Sequence, residues 1–316
     1  MPQPLDPAVA ALLTSAPRLP LATPDPALSL AERAQAFRAR DAERPPPPAF
    51  DGMIEDRPVP VRWGSVPGRV YRPRDAGERP PVVAFFHGGG FIAGDLDSHD
   101  GLCRELAAAA RAVLVAVAYR LAPETTFPGG LEDAYDATIW LAAAAPDLGV
   151  DPRRLGVAGD SAGANLATGV AMLARAHASV SITFQLLLYP KLDFVNTYPS
   201  HEENRAAGIP HALSEFFDDC YLPDRGRRAD PLASPVLAAD LTGMPPGLIV
   251  SADADTLRDE AETYGQALRQ AGAAVATLRA IGLPHGFASM TERVPSAQLI
   301  TRAAAALLGD ALRRDT

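Results

Sequence analysis

Ser161 lies in the pentapeptide Gly159-Asp160-Ser161-Ala162-Gly163, directly after the apolar run Leu155-Gly156-Val157-Ala158. A buried strand breaking there into a small-residue helix would project the hydroxyl from a sharp turn, as a nucleophile elbow requires. The flanking glycines keep side chains away from a strained serine backbone. Upstream stands a second motif, His87-Gly88-Gly89-Gly90-Phe91. Consecutive glycines let backbone N–H groups come close to a substrate, where they can hold the oxyanion formed as an acyl carbon turns tetrahedral. Gly89 and Gly90 are the expected donors, with the amide of Ala162 as the third. Neither G-K-[ST] nor G-x-G-x-x-G follows, which disfavours a nucleotide phosphate. Together the two motifs point to acyl transfer.

A serine hydroxyl is a weak nucleophile until a base takes its proton, and that base is most often a histidine fixed by a carboxylate. The chain has six histidines. His87 belongs to the glycine loop, His99 to a helix start, His177 to a helix end, and His201 and His211 to an irregular stretch. His285, in Pro284-His285-Gly286-Phe287, follows the last strand and satisfies the chain order serine, acid, histidine. The acid should follow the penultimate strand, where Asp253 and Asp255 both occupy the strand-end loop; the residues alone do not separate them. Asp259 and Glu260 fall in a first helical turn, where the helix dipole is explanation enough for negative charge.

These side chains need a scaffold. Continuous apolar strands are expected at Val82–Phe86, Val113–Ala118, Leu155–Ala158, Ile182–Leu188, Leu248–Ser251 and Ala274–Arg279. Helices are expected near His99–Ala110, Leu131–Ala145, Ala162–His177, Leu257–Ala271 and Pro295–Arg313. Unalternating strands separated by helices imply a mostly parallel, doubly wound α/β sheet covered on both faces. Alternation in Ile54–Arg62 and Val66–Tyr71 adds two antiparallel strands at its N-terminal edge. Ser29-Leu30-Ala31-Glu32 reads as a capping box opening a helix through about Glu43, and Pro45–Pro48 marks a boundary. After Tyr189 the rhythm stops for about forty residues. That stretch, about 191–230, and an N-terminal arm, 1–50, are read as a helical cap over a catalytic domain spanning 51–316.

Bulk properties narrow the partners. The 316 residues are 47% hydrophobic and 21% charged, within the range of soluble globular chains. A net charge of −9 argues against nucleic acid and against an anionic membrane surface. No apolar run approaches a spanning helix, and Met1–Pro20 lacks the features of a secretion signal. Two cysteines, Cys103 and Cys220, are too few for a disulfide framework, so the cytoplasm is the expected compartment. Lys191 is the only lysine among 29 basic residues.

From about Val82 to Met290 the chain resembles the hormone-sensitive-lipase-like branch of α/β-hydrolase esterases, bacterial family IV. His87–Phe91 resembles the branch's H-G-G-G-[FW], with Gly94-Asp95 and His99-Asp100 resembling its following loop. Tyr119-Arg120-Leu121-Ala122-Pro123-Glu124 resembles its Y-R-L-A-P-E, and Phe127-Pro128 and Glu132-Asp133-Ala134 continue the match. Gly159–Gly163 has the form G-D-S-A-G, and Ser234-Pro235 resembles a family S-P. Asp255–Glu260 resembles D-P-L-R-D-E, and His285–Phe287 resembles H-G-F. The resemblance implies Asp255 as the acid and Asp253 as a non-catalytic neighbour. Thr256 and Ala261 depart mildly from the pattern, and Gly208–Ser214 departs most.

The implied enzyme is a serine carboxylesterase needing no metal or cofactor, acting on a small-molecule ester through Ser161, His285 and Asp255. Arg120, Glu124 and Asp133 are read as a structural ion-pair network. Phe91, Leu213, Phe216, Phe217 and Tyr221 are the candidate pocket wall, and a confined pocket favours short to medium acyl chains. An amidase or lactonase would use the same constellation. The fold also serves as a small-molecule receptor in plant gibberellin receptors, but these lack the catalytic histidine that His285 supplies here. The family's common dimer implies the edge at Ala274–Arg279 as a possible seam.

Overall fold

The apolar runs become strands buried on both sides. In the computed structural model, which describes residues 4–15, 24–39 and 47–314, every residue of β3 (Val82–Phe86) and β4 (Val113–Val117) is buried. β1 (Gly52–Val61) and β2 (Gly64–Pro73) form the hairpin that the alternation predicts. β5 (Leu155–Asp160), β6 (Phe184–Leu188), β7 (Gly247–Ala254) and β8 (Val275–Pro284) complete one sheet, in the order β1-β2-β4-β3-β5-β6-β7-β8. β2 runs antiparallel to both its neighbours, and every other junction is parallel.

Side-chain alternation divides the interior into two cores. Val82, Ala84 and Phe86 of β3 join one, and Val83 and Phe85 the other. The first is covered by α4 (Gly129–Ala143), α6 (Ala162–His177) and α9 (Arg258–Gln270), the second by α3 (Asp100–Ala110) and α10 (Pro295–Arg313). Truncating a fully buried Phe85 or Phe86 to Ala would cost about 3–5 kcal/mol, transfer and cavity terms together. β3 pairs with β4 on one side and with β5 on the other. The winding direction therefore reverses between β3 and β5, and a crevice at the carboxyl ends of those strands is where a doubly wound sheet binds ligands.

Four elements run beyond the bounds of their sequence signals. β5 extends to Asp160 and α4 starts at Gly129. β7 extends to Ala254, so Asp253 lies within the strand and only Asp255 follows it, a correction to the shared-loop reading. β8 continues past Arg279 to Pro284, through a register shift between Ala252 and Ala254 that periodicity cannot register.

The stretch between β6 and β7 contains α7 (Pro199–Glu203) and α8 (His211–Tyr221), and α5 (Ala145–Leu148) follows α4. α1 (Pro7–Ser15) is tied to the far edge, with the Asp6 amide donating to Gly282 O and Ser296 donating to Asp6. α2 (Leu30–Ala39) opens on the expected capping box: Ser29 N–H donates to Glu32 at 2.9 Å, and Glu32 N–H donates to Ser29 Oγ at 3.3 Å. The expected continuation of that helix to Glu43 lies outside the described residues. α2 packs on α8 through Phe37 against Phe217, and Arg33 lies over the Phe216 ring. Arg38 fastens α2 below by donating to Ile92 O, Ala122 O and both oxygens of Glu124. Arg120 instead grips the fully buried Asp133 with two N–H groups at 2.7 Å, so the expected single ion-pair network is two separate pairs.

Candidate active site

The junction of β5 and α6 holds Ser161 at φ 53° and ψ −119°, a left-handed backbone rarely adopted by a serine. The Ser161 amide donates to Leu188 O at 2.9 Å, anchoring the turn to β6. The turn is tight because Gly163 presses on the end of β3; a Cβ there would collide with the carbonyl oxygen of Phe86. No other residue type fits that approach.

His285 follows β8, and its Nε2 lies 2.8 Å from Ser161 Oγ. Its Nδ1 lies 2.7 Å from Oδ2 of Asp255, whose side chain is fully buried. The other oxygen of Asp255 accepts from Leu257 N–H at 3.0 Å, and Asn204 donates to the Asp255 and Asp253 carbonyls, so Asp255 is held from both sides. Asp253 reaches elsewhere, accepting from Gly282 N–H at 3.2 Å. With the imidazole bonded on both nitrogens, this chain can move a proton from the hydroxyl to Nε2 while Asp255 fixes the tautomer.

The glycine loop follows β3. Gly89 and Gly90 have φ of 118° and 62°, and a Cβ on Gly90 would press 2.6 Å from the Phe217 ring. Among the described residues, the Gly89 and Gly90 amides make no backbone hydrogen bond. Ala162 opens α6, where first-turn amides lack acceptors within the helix. All three residues line one cavity of about 460 Å³ together with Ser161 and His285. Phe91, Leu213 and Phe217 also line it. Phe216 and Tyr221 do not: Phe216 sits beneath Arg33, and Tyr221 stacks on Phe91 at 3.7 Å and 3°.

Sequence reading missed the residue that holds the glycine loop. Gly88 N–H donates to Asp160 Oδ1 at 2.8 Å, and His99 Nε2 lies 3.3 Å from the same oxygen. Burial opposes ionisation of Asp160, but His99, the Gly88 amide and His87 outweigh it and keep its pKa below the ordinary carboxylate value. His87 is pushed down to about 4, by burial first and by His99 second, and is therefore neutral near pH 7. Its ring stacks on Tyr119, whose hydroxyl donates to His87 O. Asp160 is the variable residue of a G-x-S-x-G pattern, so only the adjacency of β3 and β5 reveals its role. Lys191 and Asp218, also unforeseen, line the cavity as well. Cys103 and Cys220 are buried free thiols, with Cys220 pushed up to about 12 by burial. No helix among the described residues is long and apolar enough to cross a membrane.

A mostly parallel eight-stranded sheet with a strained serine at a strand–helix turn, backed by histidine and aspartate, defines the α/β-hydrolase class. Residues 83–289 match the family model described as alpha/beta hydrolase fold. The chain is 38% identical over 275 residues to Esterase LipI of Mycobacterium tuberculosis, covering 85% of this chain and 86% of that protein. It is 36% identical over 264 residues to Ethyl acetate hydrolase of Pseudomonas putida, covering 82% and 81%. The crystal structure of a thermostable esterase from Pseudomonas putida superposes with a TM-score of 0.90 at 31% identity, covering 99% of each chain. The chain belongs to the alpha/beta hydrolase fold family, in the hormone-sensitive-lipase-like branch that its motifs resemble.

Proposed function

We propose that the protein is a carboxylic-ester hydrolase that works through an acyl-enzyme on Ser161. The observation that carries this reading is the unbroken chain Ser161 Oγ to His285 Nε2 at 2.8 Å and His285 Nδ1 to Asp255 Oδ2 at 2.7 Å. Ser161 Oγ attacks the ester carbonyl as His285 takes its proton. The oxyanion accepts from the amides of Gly89, Gly90 and Ala162, and Asp160 keeps the glycine loop in place beneath it. Collapse of the intermediate breaks the bond to the alcohol oxygen, which leaves with the proton carried by His285. Water then donates a proton to His285 and attacks the acyl carbon, and release of the acid restores Ser161.

α2, α8 and the segment Ala207–Ile209 act as a cap that gives the cavity its outer wall, and the acyl chains accepted are short to medium. The names of similar proteins, among them an ethyl acetate hydrolase, agree with ester hydrolysis. The test is Ser161→Ala with p-nitrophenyl acetate or butyrate. Release of p-nitrophenol should fall at least about a thousandfold while the circular dichroism spectrum is unchanged. Turnover near that of the native protein would refute the assignment.

A further inference from the structure

The cavity wall contains one charged pair that the chemistry above does not use. Lys191, the chain's only lysine, begins beside the nucleophile: its backbone N–H donates to Ser161 O at 3.2 Å. Its Nζ lies 3.9 Å from Oδ2 of Asp218 on α8 and 4.7 Å from the centre of the Phe194 ring. The two charged side chains are only 12% and 13% exposed. Among the described residues, neither Nζ nor the Asp218 carboxylate takes part in a hydrogen bond; their separation is too long for a direct one. Around them the wall is apolar, with Phe37, Phe91, Ile209, Leu213 and Phe217.

The neighbouring carboxylates differ. Asp193 accepts from Val195 N, Asn196 N, Asn196 Nδ2 and Tyr198 Oη, and Glu260 accepts from Leu192 N; neither lines the cavity. An ammonium and a carboxylate that face a mostly apolar cavity without a hydrogen bond from the protein leave donor and acceptor capacity open, and a group that satisfies both at once gains two charge-assisted hydrogen bonds.

We propose that Lys191 and Asp218 form a polar subsite that receives a hydroxyl group carried by the ester substrate. A hydroxyl oxygen about 2.8 Å from each partner would accept from Nζ and donate to Asp218, with roughly a right angle between the two bonds. A carboxylate substituent would be repelled by Asp218, and an ammonium substituent by Lys191. A plain alkyl chain would supply neither group with a hydrogen bond. The pair therefore selects a neutral group that donates and accepts together. This rests on the ester-hydrolase reading and names its substrate class as hydroxylated esters.

The test compares matched esters on the intact protein by pH-stat titration. On the acyl side these are methyl butanoate and its 2-, 3- and 4-hydroxy derivatives; on the alcohol side, propyl acetate and 3-hydroxypropyl acetate. At least one hydroxylated ester should exceed its parent in kcat/KM by about tenfold. That ratio should fall to near one in Lys191→Met and in Asp218→Asn. Each ratio is taken within one protein sample, so partial loss of folded protein cancels. Turnover of the parents with no hydroxyl advantage, or an advantage kept by both variants, overturns the subsite and leaves ester hydrolysis standing. No turnover of any ester removes the reading on which both rest.

Discussion

Asp253 and Asp255 stand two residues apart, yet one closes a strand edge through Gly282 and the other orients His285. If Asp255 is the acid of the triad, Asp255→Asn should reduce kcat on p-nitrophenyl acetate on the order of 10³- to 10⁴-fold by favouring the wrong imidazole tautomer. Asp253→Asn should stay within a few-fold of the native protein in the same assay. Glu260 corrects the expectation of a first-turn dipole charge, because it is fully buried and its carboxyl is pushed up to about 8. Burial is the main cause, only partly offset by Lys191 and the Leu192 amide. An unfolded chain ionises this group near 4.5 while the folded chain keeps its proton, so its contribution to stability is greatest below 4.5 and drains as pH rises towards 8. Glu260→Gln should therefore gain in melting temperature over the native protein as pH rises from 5 to 8, by several degrees, as read by differential scanning calorimetry.

At the scale of elements, the site depends on contacts between segments distant in sequence. The elbow needs Gly163 against β3, the glycine loop needs Asp160 at the end of β5, and Asp255 is held by Asn204 just beyond α7. α2 is the most lightly attached of these parts. Among the described residues its polar fastening to the rest of the protein is one side chain, Arg38, which bonds two carbonyls and Glu124. Arg38→Met should speed amide exchange in residues 30–39 by tenfold or more, while α6 and β5 exchange as before. Hydrogen–deuterium exchange with mass spectrometry reads both regions in one experiment. Equal acceleration in α6 would mean that the arm supports the whole fold rather than the cap alone.

For the whole molecule, the reversal of winding between β3 and β5 explains why the glycine loop and Ser161 face one another: both leave the sheet at the same crevice. A cavity of about 460 Å³ there falls within the range of sites for small ligands. A series of p-nitrophenyl esters should accordingly give its highest kcat/KM at short to medium acyl length, and a maximum beyond about ten carbons would contradict a confined pocket. At the far end of the sheet β8 is the last strand among the described residues, and Ile281 there is exposed. The dimer that the family resemblance implies would place its seam along this edge at Ala274–Arg279.

Much of this protein was legible along the chain, because strand and helix periods, glycine spacing and capping residues act over a few neighbouring residues. Ser161, His285, the glycine loop and the order of strands and helices are signals of that local kind. The residues alone left Asp253 and Asp255 tied, since two carboxylates at a strand end look alike until a bulged β7–β8 pairing aims them differently. Asp160 under the glycine loop, the split of Arg120 and Glu124 between separate partners, and the exclusion of Phe216 and Tyr221 from the cavity were decided by tertiary structure. So was the meeting of Lys191 with Asp218 across 3.9 Å. Each depends on which face of one element meets another, and burial makes such meetings decisive: with water removed, one polar partner more or less changes what a side chain can do.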